Sequence, residues 1–314
     1  MSPSQKILPR DAKLRHPPAA VNGLGSFGSA AATQRSARPV GVHVRSCPEA
    51  ENSEKHRRKF VKQNASAAPV SSYTDGLMAN VYAGTSGWAY PSWKPDFYPP
   101  KLGSAEFLSY YASRLNSVEV NYTFRRFPTG KLLTRWIEAT PPGFNFTVKA
   151  HQMITHVKRL RDALGSTSEF IASLQLLHEA KKLGPVLFQL PPFLKRDLPL
   201  LEDFLAGLPR HARTTFEFRH TSWFSDEVYD LLRGANVALC QAESETLETP
   251  SVQTADFFYL RLRKERYSVN ARRVLTRQIT DLVHRGDIFV YFKHEETPEG
   301  ALYAESLLAS TRAA

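Results

Sequence analysis

Thr214-Thr-Phe-Glu-Phe-Arg-His220 alternates polar and aromatic residues and ends in charge. Successive side chains of a β-strand point to opposite faces, so Thr215, Glu217 and Arg219 share one face and Phe216 and Phe218 the other. Phenylalanines on one side suit packing under helices, and a polar row on the other suits the interior of a barrel near its mouth. Seven further short apolar runs flank this one, at residues 81–88, 117–123, 145–151, 185–190, 237–243, 257–263 and 287–295, and nearly all end in a polar or charged residue. Between most of them lie amphipathic stretches of helical length, at 103–115, 129–139, 168–183, 198–208, 226–234, 270–284 and 298–309. Strand alternating with helix eight times predicts a TIM-like (β/α)8 barrel, a fold that builds its site where the strands end. Ser268 or Asn270 is placed to cap one helix, and Gly184, Gly234 and Gly286 to close others before the next strand. The crossover after the sixth strand, 244–255, has room for only a short turn or helix.

Parity turns the strand ends into a candidate list. The inward set is Glu119 and Asn121 on strand 2, Thr147, Lys149 and His151 on strand 3, Gln189 on strand 4 and Thr215, Glu217 and Arg219 on strand 5. Strand 7 adds Tyr259, Arg261 and Arg263, and strand 8 adds Tyr291 and Lys293. Charges directed into a barrel are expensive unless paired or solvated, so this cluster implies a polar cavity at the C-terminal face. Two readings stand. In one, Glu119, Glu217, Lys149 and Arg219 form a buried ion network without chemistry. In the other, Glu119 or Glu217 is a general acid/base tuned by neighbouring cations, and Lys149, Arg219, Arg261 and Lys293 hold a phosphate or carboxylate. Cations outnumber carboxylates in the inward set, which favours an acidic substrate.

Other chemistries find less purchase. A glycosidase pair of Glu119 and Glu217 depends on a separation that sequence does not give. A Schiff base at Lys149 needs its pKa lowered by desolvation or a nearby cation. His151, His156, His220 and His294 fall at or just after strand ends, yet no HxH or HExxH spacing occurs and no metal is expected. Gly84-Thr-Ser86-Gly87 is not a nucleophile elbow, which leaves Ser86 as a turn residue or hydrogen-bond donor. Of the neighbouring aromatics, Trp93 and Phe97 suit packing of a long first loop, whereas Trp88 and Trp223 suit a wall or lid beside the ligand.

The chain has 314 residues, enough for one barrel, with 42% hydrophobic and 23% charged residues. No apolar run approaches the roughly 20 residues that cross a bilayer, so no membrane role is expected. Two cysteines, Cys47 and Cys240, make no disulfide framework, and a cytoplasmic setting is expected. The net charge of +11 is uneven: residues 1–77 hold 12 Lys/Arg against 5 Asp/Glu, the remainder 29 against 25. Residues 1–77 also lack hydrophobic periodicity and are expected to be a disordered basic extension ahead of a barrel at 78–314. A start codon placed too early (Met78 lies three residues before the first strand), a basic tail and an organelle-targeting peptide all fit that composition. Gly23-Leu-Gly25-Ser-Phe-Gly28 within it has neither the preceding strand nor the following helix of a dinucleotide site.

Gly84-Thr-Ser-Gly-Trp-Ala-Tyr-Pro-Ser-Trp93, Val118-Glu-Val-Asn-Tyr-Thr-Phe124, Phe146-Thr-Val-Lys-Ala150 with Thr155-His156, and Leu183-Gly-Pro-Val-Leu-Phe-Gln-Leu-Pro-Pro192 form an ordered series. Phe216-Glu-Phe-Arg-His220 with Ser222-Trp-Phe224, Tyr259-Leu-Arg-Leu262, Tyr267 and Val290-Tyr-Phe292 continue it. From Val81 to Leu308 the chain resembles the DUF72 (YecE-like) family. That resemblance implies a TIM-like barrel and supplies no reaction. Many members carry Asp after strand 6, where this chain has Gln241-Ala-Glu243, and Arg-Leu-His-Gly after strand 7, where it reads Arg261-Leu-Arg263-Lys264.

The expectation is therefore an enzyme that acts on a small anionic, phosphorylated or nucleotide-like substrate by acid/base chemistry without an organic cofactor. Asn121, His151, Gln189, His220, Arg263, Tyr291, Trp88 and Trp223 would complete its binding wall. The alternative is a non-catalytic or nucleic-acid-binding barrel that uses the basic mouth and aromatic loop; nucleic-acid binding would weaken steeply with salt.

Overall fold

Strands β1 Val81–Thr85, β2 Ser117–Val120, β3 Asn145–Lys149, β4 Leu183–Gln189, β5 Thr214–Glu217, β6 Ala238–Ala242, β7 Phe257–Leu262 and β8 Asp287–Phe292 follow one another with helical segments between all but β6 and β7 among the described residues. The longer helices are α1 Phe107–Arg114, α2 Gly130–Glu138, α3 Leu164–Ala172, α4 Gln175–Glu179, α5 Leu198–Ala206, α6 Asp226–Gly234, α7 Val269–Leu282 and α8 Glu299–Arg312. The computed structural model describes residues 79–243, 247–264, 266–293 and 296–312. The segment 1–77 with its glycine motif, and His294, lie outside the described residues. The strands pair in parallel in the order β1-β8-β7-β6-β5-β4-β3-β2, an almost closed TIM-like barrel.

The remaining seam, between β2 and β1, is closed by side chains. Asn116 Nδ2 donates to the Val81 carbonyl at 2.8 Å, and Asn116 Oδ1 accepts from the Ala83 N–H at 2.9 Å. The Tyr111 hydroxyl accepts from the Thr85 N–H at 2.9 Å and donates to the Ser117 carbonyl at 3.0 Å. These groups satisfy edge amides and carbonyls that a strand ladder would otherwise pair. Gly84 permits the approach: a Cβ there would sit 1.9 Å from the Ser117 carbonyl oxygen.

Outside the strands, Phe216 stacks on Phe188 and meets Phe204 of α5, while Phe218 stacks on Trp223. The interior is layered. Tyr82 stacks on Phe289 beside Phe257 at the bottom. Above them come Leu187, Ala238, Cys240, Tyr259 and Tyr291, a second core cluster separate from the outer one. Glu119, Lys149, Gln189, Glu217 and Arg261 follow at the C-terminal strand ends. Thr129, Asp197 and Ser268 cap α2, α5 and α7, each accepting a backbone N–H three residues on.

Some boundaries differ from the sequence reading. The helix expected over 168–183 starts earlier and divides into α3 and α4, ended by Lys181 at φ 55°. Gly184 does not close it; it lies inside β4, where a Cβ would meet Thr147 Oγ1 at 2.9 Å. The β6–β7 connection carries no helix among the described residues. No helix of the described chain is long and apolar enough to cross a membrane.

Candidate active site

The upper layer is organised around Arg261 of β7, which is 3% exposed. One of its terminal nitrogens donates to Glu119 Oε1 at 2.6 Å, and the other forms a very short contact with Glu217 Oε2. Glu119 also accepts from Ser86 Oγ at 2.9 Å and from the Tyr259 hydroxyl at 2.7 Å, and is wholly buried. Burial alone would raise the Glu119 pKa; the charge and hydrogen bond of Arg261, with the Tyr259 bond, outweigh it and hold the carboxyl at about 2. Glu217 is likewise lowered against its burial by the charges of Arg261 and Arg263 and by hydrogen bonds from Arg261 and Gln189. Both carboxylates stay ionised, so neither is matched to proton transfer near neutral pH.

Lys149, at the end of β3, has different surroundings. Its Nζ donates to Gln189 Oε1 at 2.7 Å and lies 4.2 Å from the centre of the Phe124 ring. Gln189 Nε2 in turn donates to Glu217 Oε1 at 2.8 Å, which fixes the amide orientation because a carboxylate can only accept. Among the described residues no carboxylate forms an ion pair with Lys149. Burial first, then the charge of Arg261, lowers its pKa to about 8 despite Glu119 and Glu217. Beyond β3 a π-turn at Met153–Val157 carries His156, whose ring lies edge-on to Phe124. Burial, then the charges of Lys149 and Arg219, lowers the His156 pKa and keeps the ring neutral at neutral pH.

A cavity of about 470 Å³ opens over this layer. It brings together Asn121, Lys149, Gln189, Glu217, Arg219, Arg261, Arg263 and Lys293 from the candidate list. Arg263 reaches only to 4.0 Å from Glu217, and its Nε is buried without a partner, as is Asn121 Oδ1. Six basic side chains line the cavity against two acidic ones, Glu217 and Glu243.

Six candidates sit elsewhere. Glu119 lies behind Arg261, and the Tyr291 hydroxyl is taken up below the cavity by Ser117 and Thr147 at 2.6 and 2.7 Å. Trp223 is sandwiched against Phe218 and donates to the Leu194 carbonyl at 2.8 Å, a packing role instead of a lid. Trp88 packs edge-on to Trp136. His220 Nδ1 accepts from the Ser222 N–H at 3.1 Å and caps a short turn, and His151 Nδ1 accepts from the Met153 N–H at 3.2 Å. Glu119 and Tyr291 face inward as their strands require but lie below the cavity, whereas His151, His220, Trp223 and Trp88 lie past the ends of β3, β5 and β1, where the chain has left the ladder.

Sequence reasoning missed Phe124 and Arg125, on the 3-10 turn after β2, and Leu247 and Thr249, on the β6–β7 loop. Parity says nothing of loops; the only signal was Phe124 closing a family motif. Among the described residues no three of His, Cys, Asp and Glu converge as a metal site requires.

The profile of the family described as "Protein of unknown function DUF72" matches residues 82–314, the whole barrel. The chain belongs to the DUF72 family. Among curated proteins, the UPF0759 protein YecE of Escherichia coli (strain K12) is 33% identical over 157 residues, 49% of this chain and 54% of that one. The UPF0759 protein YunF of Bacillus subtilis (strain 168) is 31% identical over 160 residues, 48% and 54% respectively. The chain thus spans about half the length of these curated relatives. A DUF72 crystal structure from Thermotoga maritima superposes with a TM-score of 0.65 at 26% identity, covering 74% of this chain and 99% of that one. A second, from Enterococcus faecalis, gives 0.61 at 16%, covering 73% and 95%, and shares the fold. The DUF72 name carries no reaction, so the chemistry rests on the cavity.

Proposed function

We propose that the barrel mouth is an enzyme active site for a small anionic substrate bearing a phosphate or carboxylate, with Lys149 as the acid/base group. The observation that carries this reading is the division of charge around the cavity. Arg261 is consumed by two carboxylates, whereas Arg219 and Arg125 face the opening with no carboxylate partner among the described residues. Unpaired guanidinium groups beside a cavity are suited to bidentate recognition of phosphate or carboxylate. The acid/base role moves from Glu119 and Glu217 to Lys149 because a pKa near 8 suits proton transfer and a carboxylate held well below its usual range does not. A reducing cytoplasmic setting fits the unpaired thiol of Cys240.

Calorimetric titration of the full chain with inorganic phosphate tests the reading, followed by a turnover screen of phosphorylated and carboxylated metabolites. Saturable binding that is weakened in Arg219→Ala, and turnover that is lost in Lys149→Met, are the expected results. A chain that binds neither phosphate nor any carboxylate would sink the proposal.

A second reading, single-stranded nucleic-acid binding across the mouth, draws on the exposed rings of Tyr122 and Phe193 just beyond β2 and β4, the latter under the Arg159 guanidinium at 5.0 Å. Its mark is an affinity for oligonucleotides that falls steeply with salt; a flat response removes it.

A further inference from the structure

Lys149 is held by a neutral amide and an aromatic face, where an anion clamp would be expected to place a solvated ammonium. Gln189 Oε1 takes one N–H at 2.7 Å, and Gln189 is itself pinned at 2.8 Å by the buried Glu217. As a free amine, Lys149 would keep its lone pair after giving that N–H. Burial first, and then the charges of Arg261 and Arg263, discourage its protonation. The same cavity wall carries Arg219 and Arg263, available to an anionic tail. A general base needs only a lone pair within reach of a proton; an amine fixed beside an anion site is also placed to attack a carbonyl.

We infer that Lys149 is a nucleophile that condenses with an aldehyde or ketone carrying a phosphate or carboxylate group, a step that rests on the anion-binding reading above. The Nζ lone pair forms a bond to the carbonyl carbon as the C=O π pair moves to oxygen, and one nitrogen proton passes to that oxygen to give a carbinolamine. The hydroxyl takes up a proton and leaves as water while nitrogen and carbon form a double bond. Loss of the second nitrogen proton returns the one taken up. The balance is one amine and one carbonyl giving one imine and one water, with no change of oxidation state.

Pyridoxal 5′-phosphate, an aldehyde with a phosphate, is a suitable probe for the full chain. The imine is followed by its absorbance, reduced with borohydride and located by peptide mass mapping. The expected result is labelling at Lys149 that is lost in Lys149→Arg. Inorganic phosphate at ten times its own dissociation constant should slow it about tenfold. Labels scattered over surface lysines, with phosphate binding intact by calorimetry, would overturn the nucleophile and leave the anion site standing. Labelling at Lys149 that is indifferent to phosphate would overturn the anionic substrate class. Neither labelling nor phosphate binding would remove both readings.

Discussion

On the β2–β5–β7 side of the mouth, Glu119, Arg261 and Glu217 meet within hydrogen-bond distance and are almost wholly buried. On the β3 side, the Lys149 ammonium meets an amide oxygen and a ring, and Arg219 faces the opening. Both sides carry charge at the C-terminal strand ends of one barrel. The first has every carboxylate answered, so its charges hold strands that are far apart in sequence: β2 to β7 and β5 to β7. The second leaves cations without a carboxylate among the described residues, an arrangement that a bound anion would complete under the proposed function. Pairing thus separates the ion network from the proposed binding site, and the two readings left open by the sequence fall on different residues.

The comparison breaks first at Arg261. Arg261→Met leaves two ionised carboxylates buried together, and removing one partner of a buried pair costs about 3–5 kcal/mol. The urea midpoint should fall steeply with an unchanged slope. A loss under about 1 kcal/mol would mean that water reaches this layer and the pairing is not structural. Acid tests the same side more gently. The Glu119 pKa is depressed in the folded chain to about 2, so its stabilising contribution is complete above the unfolded value near ~4.3 and is lost as pH falls from there toward 2. Wild type should therefore lose more stability than Glu119→Gln across that window.

How far this was legible from sequence follows the same division. Strand parity identified Glu119, Glu217 and Arg261 as inward-facing because all three lie within strands, where the period of two is enforced by the ladder. It failed for His151, which lies past the end of β3 at Lys149 and turns its Nδ1 to the Met153 N–H. Charge counting also misassigned roles: Arg261 entered as part of an anion clamp, and only the three-dimensional meeting of β2, β5 and β7 shows it to be occupied. Nor could the seam between β1 and β2 be foreseen. Asn116 and Tyr111 read as loop and helix residues, and their hydrogen bonds become visible only once Gly84 has let the two strands approach.

Lys149 should respond with the opposite sign. Its folded pKa of about 8 lies below the unfolded value of ~10.4, so below pH 8 both states are protonated and the native state carries the cost of a buried ammonium. Lys149→Met should then be more stable than wild type at neutral pH by on the order of 2 kcal/mol while losing turnover. As pH rises from about 8 to ~10.4 the wild-type amine loses its proton in the folded chain first, wild-type stability rises, and the gap closes. A destabilised Lys149→Met would place this lysine with the ion network and erase the contrast between the two sides.

Arg219 provides the smallest and most selective effect. It is exposed, follows β5 directly and has no carboxylate partner among the described residues, so Arg219→Ala should change stability by no more than about 0.5 kcal/mol. Its guanidinium is nonetheless one arm of the proposed clamp, and phosphate affinity should fall about tenfold, or ~1.4 kcal/mol. Calorimetry in two buffers of different ionisation enthalpy adds a further readout. An anion bound beside Lys149 favours its ammonium form, so near pH 8 binding should take up protons, and Lys149→Met should abolish that uptake. Binding that persists at full strength in Arg219→Ala, with no proton uptake in wild type, would place the anion away from both residues and return the basic mouth to a solvated surface.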